Sequence, residues 1–299
     1  MHSNVRGLKS KLQSLNHTVN NVLLPSCISL NEHGVRGNSQ INIENYFTFS
    51  KNRSNKRMGG VSLSIPNENR QSFMKICEGE DTDEYLIIRN DEYKPPLNIV
   101  SMYGECESRY SNDDILERWQ RFLRELREIE ERGENLIIAS DMNRKVGNDD
   151  LGIKGNSEEV SHGGLLVREL IASGNYFFAN NTDLVEGGPI TRIDPSNNSK
   201  GSVLDVFILS KALQKHLDKM VIDENYKYPM QYAIKEDGNV KLKRSHHLTI
   251  VLYLKDLPTS KSPNKEERVE PKWNYNKVGA WDKYEIVTKL PFSMPCSAC

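Results

Sequence analysis

The chain has 299 residues, of which 37% are hydrophobic and 27% are charged, ordinary values for a globular protein that can bury a large core. Its formal net charge of −1 excludes an overall polycation, so any surface that binds nucleic acid must be a local patch. The five cysteines are scattered, and no apolar run reaches membrane-spanning length. We therefore expect an intracellular protein from a reducing compartment, with no membrane partner.

The first half of the chain alternates short apolar strands with amphipathic helices. The clearest helix is predicted over residues 113–132, because Ser111 or Asn112 can cap its start and Gly133 closes its end. A first helix is predicted over residues 9–21. The predicted strands are residues 27–30, 46–50, 61–65, 85–89 and 97–103.

The second half continues the same alternation. Strands are predicted at residues 136–139, 176–179, 203–209 and 248–254, and helices at 164–173 and 211–219. From Pro258 onward, Pro, Ser, Lys and Glu dominate as in a linker. We therefore expect one domain over residues 1–257, then a linker over 258–299 that leads to a missing downstream region. Because strand pairs interrupt the alternation, we predict an α/β fold with mixed sheets rather than a doubly wound one.

Two predicted strands end in polar residues that could carry chemistry. The strand at 136–139 leads into Asp141-Met142-Asn143, and period two would place the Asp141 carboxylate and the Asn143 amide on one side, where they could activate a water. A strand followed by an Asx turn is the structural alternative. Glu32 follows the strand at 27–30 in the same way, although such a residue is more often a solvated loop residue.

Motifs around these strand ends follow one another in a recognisable order. They are Asn4-Val5-Arg6-Gly7-Leu8, Gly59-Gly60-Val61, Asn98 to Gly104, Leu136 to Asn143, Gly164-Leu165-Leu166, Ser202-Val203-Leu204-Asp205 and Ser245-His246-His247-Leu248. Their order resembles the endonuclease/exonuclease/phosphatase superfamily and, within it, the apurinic-type endonuclease domain of a non-LTR retrotransposon polyprotein. The resemblance spans residues 3–257. With the alternation of strands and helices, it implies a four-layered α/β sandwich, two mixed β-sheets packed face to face with helices outside.

The resemblance implies a Mg²⁺-dependent phosphodiesterase that nicks DNA, with Mn²⁺ as an alternative ion. Glu32 and Asp141 would hold the ion, and Asp141 would also orient or deprotonate the attacking water. His247, held by Asp205, would stabilise the transition state. The remaining catalytic residues that the resemblance implies, which would fix the water or bind the phosphate, are Asn4, Asn143 and Tyr103.

DNA is the partner that the family chemistry implies, together with a nuclear site of action and a downstream reverse transcriptase in the same polyprotein. The segment from Thr191 to Ser202 resembles the family's hairpin, which lies against the DNA groove. Its implied DNA contacts are Arg192, Lys200 and Ser202. A basic turn adds Arg53, Lys56 and Arg57, although such a turn is more often a solvated loop.

Departures from the family pattern leave two functions open. The family has Ser-Asp-His where this chain has Ser245-His246-His247, and Arg192 replaces an aromatic residue after Thr191. An imidazole cannot replace a carboxylate towards Mg²⁺, so the chain is either an active nicking enzyme or a catalytically impaired module that binds nucleic acid or another partner on the same fold.

Three expectations follow from these assignments. The chain nicks DNA weakly at best, and His246→Asp raises the rate. The first strand, before Asn4, is shorter than the family's, as in an incomplete open reading frame. The predicted site residues meet in one cleft; they are Asn4, Glu32, Asp141, Asn143, Asp205 and His247.

Overall fold

The computed structural model describes residues 1–53, 59–80, 83–104, 110–194, 197–225, 227–228, 231–236, 239–244 and 246–260. Its helices are α1 (Leu12–Asn21), α2 (Asn112–Glu131) and α3 (His162–Ala172). Its strands are β1 (His2–Asn4), β2 (Ile28–Asn31), β3 (Tyr46–Lys51), β4 (Val61–Pro66), β5 (Phe73–Glu78), β6 (Tyr85–Asn90), β7 (Leu97–Tyr103), β8 (Asn135–Asp141), β9 (Tyr176–Phe178), β10 (Val185–Glu186), β11 (Arg192–Asp194), β12 (Asn197–Ser202), β13 (Asp205–Ser210), β14 (Leu217–Ile222), β15 (Gln231–Glu236), β16 (Asn239–Arg244) and β17 (Ile250–Leu254).

Two mixed β-sheets face each other at the centre of the protein. The seven-stranded sheet has the order β10-β14-β17-β1-β2-β4-β3, and the six-stranded sheet has the order β5-β6-β7-β8-β13-β9. Each contains parallel and antiparallel neighbours: β1 and β2 are parallel in the first, as are β7 and β8 in the second. The hairpins β11–β12 and β15–β16 form separate two-stranded sheets.

Apolar clusters on both sides of each sheet account for the four layers. Residues of β4, β6 and β13 pack together between the sheets, among them Leu63, Ile88 and Phe207. On the outer face of the six-stranded sheet, α2 and α3 bury a stripe that includes Trp119 and Phe122. On the other side, α1 buries Leu15 and Val19 against the outer face of the seven-stranded sheet. The predicted four-layered α/β sandwich is confirmed.

The space between the sheets is polar at one edge and apolar further in. Because side chains alternate along a strand, one face of each strand supplies this layer. At the edge where β7 and β8 end, Tyr103 pairs in register with Asp141, and Asp141 pairs with Asp205. Two residues further from this edge, the positions of β8 and β13 are Ala139 and Phe207, which pack in the apolar cluster. The polar residues are thus collected at one edge of the sandwich.

Several predicted elements differ from the structure. The first helix begins at Leu12 rather than at residue 9, and the predicted helix over 211–219 is a short 3-10 helix over Lys211–His216 followed by strand β14. The β5 strand and the β15–β16 hairpin were not anticipated. Within the described ranges, none of the helices is both long and apolar enough to cross a membrane. The described residues up to Ser260 form one compact unit, and residues 261–299 lie outside the description.

Candidate active site

Asp141 ends β8, and its carboxylate is fully buried between the sheets. Its Oδ2 accepts a hydrogen bond from the Asn4 side-chain amide at 2.6 Å, and its Oδ1 accepts one from the backbone N–H of Asn143 at 3.1 Å. The second bond closes an Asx turn, in which Asn143 has a φ of +47°. The strand therefore does not continue to Asn143, and the side-chain amide of Asn143 donates instead to the carbonyl of Gly104 at 2.9 Å.

Asp205 and His247 reach Asp141 from two other segments. Asp205 begins β13, which runs antiparallel to β8. Its Oδ2 lies 2.9 Å from Nδ1 of His247, and the same nitrogen lies 3.8 Å from Oδ2 of Asp141. All three side chains are buried. The structure thus brings together Asn4, Asp141, Asp205 and His247, which come from distant parts of the chain; these four residues are called the buried cluster below.

Burial and mutual charge set the protonation of the buried cluster. Burial raises the pKa of Asp141, and the Asp205 charge adds to this rise while His247 opposes it. Burial also acts to raise the pKa of Asp205, but the imidazoles of His247 and His2 outweigh it and hold that pKa below its ordinary value. Burial acts to lower the pKa of His247, yet the two carboxylates raise it overall. Asp141 is therefore the carboxylate of the cluster better suited to accept a proton near neutral pH.

Glu32 follows β2 and lies near enough to influence the pKa of Asp141. Its Oε1 accepts a hydrogen bond from the Tyr103 hydroxyl at 2.5 Å, and its Oε2 lies 3.7 Å from Nε of Arg6. Burial and the Glu32 charge raise the pKa of Tyr103, so this phenol stays protonated and remains a donor. The Glu32 carboxylate therefore has a cation and a hydroxyl beside it already.

His246, where the resemblance led us to expect a carboxylate, is influenced by several cationic side chains. Burial is the first cause that lowers its pKa, and the charges of Arg6 and Arg192 add to the effect. Arg192 is held close by because the next residue, Ile193, donates its N–H to the His246 carbonyl at 2.8 Å. Lys11 contributes further, although burial lowers its own pKa to about 8. Such a region attracts anions more than it attracts a divalent cation.

A divalent cation would fit the buried cluster better than it would fit Glu32. Asp141, Asp205 and His247 can each offer one ligand atom, and these atoms lie within 4.8 Å of one another. Two carboxylates suit a hard cation, and the imidazole suits Mn²⁺ better than Mg²⁺. At Glu32, by contrast, the guanidinium of Arg6 already lies beside the carboxylate. Among the described residues, the buried cluster is therefore the better cation site.

The β11–β12 hairpin is anchored beside the buried cluster. The hydroxyl of Thr191, just before β11, accepts a hydrogen bond from the backbone N–H of Asp205 at 2.9 Å. Arg192 forms an isolated β-bridge with His247 and pairs with Ser202 at the base of the hairpin. The segment expected to contact DNA thus shares its backbone hydrogen bonds with the candidate catalytic residues.

The other predicted DNA contacts are placed less directly. Arg53 forms an ion pair with the buried Glu84, an arrangement that a structural role alone would explain. Lys200 belongs to β12. Residues that lie outside the description are Lys56, Arg57 and Ser245.

Four polar residues beside the buried cluster were not singled out from the sequence. They are His2, Ser29, Asn31 and Ser101, all buried between the sheets. Two of them had a signal, because period two from Asn4 places His2 on the same face of β1 and period two from Tyr103 places Ser101 on the same face of β7. The others depend on which strands face each other, which the sequence does not state.

The chain matches no protein-family profile and no curated protein sequence. Solved structures do share its fold. The catalytic domain of Xenopus laevis APE2 matches with a TM-score of 0.63 at 12% identity, over 87% of this chain and 93% of that chain. AP endonuclease LMAP from Leishmania major matches with a TM-score of 0.58 at 15% identity, over 85% and 86% of the two chains. The endonuclease domain of TRAS1, a telomere-specific non-LTR retrotransposon, matches at 0.56 and 14% identity, over 85% and 96%. At these identities the likeness shows a shared fold.

Proposed function

We propose that the chain is a metal-assisted phosphodiesterase that nicks DNA, of the kind found in non-LTR retrotransposon polyproteins. The observation that carries the proposal is the buried cluster, in which Asn4 and His247 both approach Asp141 and Asp205 orients His247. A structural core has little use for two buried carboxylates and an imidazole, because burying charge costs free energy unless it is paired. The cluster lies at the edge of the sandwich where strand ends collect functional groups.

Asp141 is the proposed acceptor of the proton from the attacking water. Its raised pKa makes it a stronger base than an ordinary aspartate, which suits general-base catalysis near neutral pH. The Asn4 amide, 2.6 Å from Oδ2, holds the carboxylate in one orientation. The Asx turn at Asn143 presents a second amide beside the same carboxylate.

His247 is the proposed donor to the phosphate. Because Nδ1 faces Asp205, we assign the phosphate contact to the other ring nitrogen, Nε2. The raised pKa of His247 favours the imidazolium, which would stabilise the negative charge of the pentacovalent transition state. Tyr103, a phenol that stays protonated, donates to Glu32 here and would become a neutral donor to the phosphate by turning its hydrogen away from that carboxylate.

A bound Mg²⁺ or Mn²⁺ would neutralise charge on the scissile phosphate and its leaving oxygen. We assign that ion to the Asp141 carboxylate, because His247 as an imidazolium has no lone pair to offer a metal and Glu32 already faces Arg6. The imidazole of His246, where the resemblance expects a carboxylate, favours Mn²⁺ over Mg²⁺. We therefore expect greater activity with Mn²⁺ than with Mg²⁺.

Duplex DNA is the proposed substrate, with Arg192, Lys200 and Ser202 of the β11–β12 hairpin as its groove and phosphate contacts. A nuclear site of action and a reverse transcriptase downstream in the same polyprotein belong to the same proposal. Both would follow if the chain derives from a retroelement.

The test is a nicking assay on supercoiled plasmid with Mg²⁺, with Mn²⁺ and with EDTA. We expect slow conversion to open circles that is faster in Mn²⁺ and absent in EDTA. If the unmodified chain nicks DNA in neither metal, the proposed nuclease activity is wrong. DNA binding measured in the same samples would then test the second candidate function, described next.

That second candidate is a nucleic-acid-binding module without cleavage. The specific observation in its favour is the pair of guanidinium groups that act on His246, those of Arg6 and Arg192, which suit a phosphate without any metal. On this alternative, DNA affinity is unaffected by EDTA and falls steeply with salt. Substitution of Arg192 by Gln would weaken binding, whereas Asp141→Asn would leave it unchanged or strengthen it.

A further inference from the structure

His2 lies between the two sheets, two residues before Asn4 and on the same face of β1. Its Nδ1 is 2.9 Å from the hydroxyl of Ser29, and its Nε2 is 3.4 Å from Oδ1 of Asp205. Oδ2 of the same carboxylate lies 2.9 Å from Nδ1 of His247. His2 and Asp205 are both fully buried. Asp205 is therefore placed between two imidazoles, only one of which the proposed function uses.

A chain of hydrogen bonds behind His2 decides which of its nitrogens carries a hydrogen. The amide nitrogen of Asn31 donates to the Met102 carbonyl at 2.5 Å, so the Asn31 oxygen faces the hydroxyl of Ser101 and accepts from it at 3.0 Å. A hydroxyl has one hydrogen to give. Ser101 therefore accepts from Ser29, 2.8 Å away. Ser29 has then used its own hydrogen and must accept from Nδ1 of His2.

The opposite nitrogen of the ring faces the carboxylate. In the part of the chain that the structure describes, neither Nε2 of His2 nor Oδ1 of Asp205 has another hydrogen-bond partner. Two acceptor atoms without hydrogens that face each other in the buried layer would each lack a partner, which is costly for buried polar atoms. A proton between them gives both atoms a partner.

We propose that His2 is a positioning residue of the candidate site: a proton held between Nε2 of His2 and Oδ1 of Asp205 fixes the carboxylate so that Oδ2 receives His247. The proposal rests on the proposed function in so far as His247 acts on the phosphate. It extends the pair of Asp205 and His247 to a chain of side chains that reaches back through Ser29 and Ser101 to Asn31. Through Asp205, these hydrogen bonds fix which nitrogen of His247 faces the carboxylate.

Two substitutions of similar size separate the two contacts of His2. In His2→Gln the terminal amide reaches the place of Nε2 and can still donate to Asp205. In His2→Asn the amide reaches only the place of Nδ1 and can donate to Ser29 alone. A merely structural role predicts that both variants behave alike, whereas a positioning role predicts that only His2→Asn disturbs His247.

The measurement is the ring ¹⁵N spectrum of the histidines in the full chain, with plasmid nicking in the same buffer. In the unmodified chain we expect a hydrogen on Nδ1 of His2 and on Nδ1 of His247. His2→Gln should leave the His247 signals in place and keep the nicking rate, while His2→Asn should shift them and lower kcat by about 10–100-fold, as the loss of an orienting partner does. Equal effects of the two substitutions, or a His2 ring without hydrogen on Nδ1, would overturn the proposal.

The spectra need no turnover, so the two proposals can fail separately. If the unmodified chain does not nick DNA but His247 responds to His2→Asn and not to His2→Gln, the positioning role stands and the nuclease fails. If His2→Asn does not fold, Ser101→Ala tests the same chain without touching His2 or Asp205. Ser29 could then donate to Nδ1 of His2, and we expect that nitrogen to lose its hydrogen. An unchanged His2 spectrum in Ser101→Ala would refute the assignment of the proton.

Discussion

The candidate site has two halves, one around Asp141 and one around Glu32, and the charges of their side chains are paired differently. Around Asp141, two carboxylates, an imidazole and an amide lie in mutual contact inside the protein. Around Glu32, a single carboxylate meets Arg6 and Tyr103, and the nearby His246 is surrounded by further cations. The first half keeps what proton transfer and a cation need, whereas the second half has the charges of an anion site. Impairment, if present, should therefore arise at Glu32 and His246 rather than at Asp141.

The largest effect is expected from Asp141→Asn, which keeps the size of the side chain and removes its base. We expect nicking to fall on the order of 10²–10⁴-fold, because both proton transfer and charge stabilisation are lost. The measurement is the initial rate on supercoiled plasmid in Mn²⁺. The matched control is Asp218→Asn, an exposed carboxylate on β14. If both variants nick at the same rate, the half around Asp141 is not the reacting one.

The next largest effect concerns the stability of the protein at acid pH, which depends on His33, the residue after Glu32. His33 is buried, with Nδ1 accepting from the Val35 N–H, and burial lowers its pKa to about 4. Between pH 6.5 and 4 the unfolded chain binds a proton that the folded chain does not bind, so this residue's contribution to stability is complete above pH 6.5 and is lost as the pH falls. The loss amounts to about 3 kcal/mol at pH 4.

The substitution His33→Asn keeps an acceptor for Val35 and removes the titration. We expect the free energy of unfolding of this variant, measured with urea at pH 7 and pH 4.5, to fall less on acidification than that of the unmodified chain. His17→Asn, at an exposed histidine of α1, should leave the difference unchanged. The same pH response in both variants would show that His33 is not the group responsible.

The elements and the site were predictable from the sequence to different degrees. Strand β7 was predicted to the residue, because an apolar run bounded by turn residues leaves little choice. The first half of strand β14 was predicted as the end of a helix, because residues 211–219 contain good helix formers and only pairing with β10 and β17 makes the chain extended from Leu217 onward. Asp141, Asn143 and Glu32 were singled out by the strand ends that they follow, and the other site residues came from the resemblance. The contacts of His2 and Arg6 could not be predicted, since they depend on strands that meet only in the folded chain.

A smaller effect, in the opposite direction, is expected from His246→Asp. A carboxylate there would offset the charges of Arg6 and Arg192. We expect the nicking rate in Mg²⁺ to rise about tenfold, less than the roughly 10²–10⁴-fold that losing such a group costs, because both arginines remain. Combining it with Arg6→Asn should add to the gain. His17→Asp introduces the same charge on α1 and should have no effect. Full activity of the unmodified chain in Mg²⁺, unchanged by His246→Asp, would show that the missing carboxylate was never needed.

The smallest effect should come from Tyr103→Phe, which removes one hydroxyl from the Glu32 half. That hydroxyl donates to Oε1 of Glu32 at 2.5 Å, and burial and the Glu32 charge keep it protonated. If Glu32 serves mainly as the partner of Arg6, losing this bond costs little, and we expect a change in nicking of less than about tenfold, the equivalent of one ordinary hydrogen bond. The measurement compares kcat and KM for a short duplex in Mn²⁺. If Tyr103→Phe lowers kcat as far as Asp141→Asn does, the Glu32 half takes part in the chemical step and the contrast between the two halves is wrong.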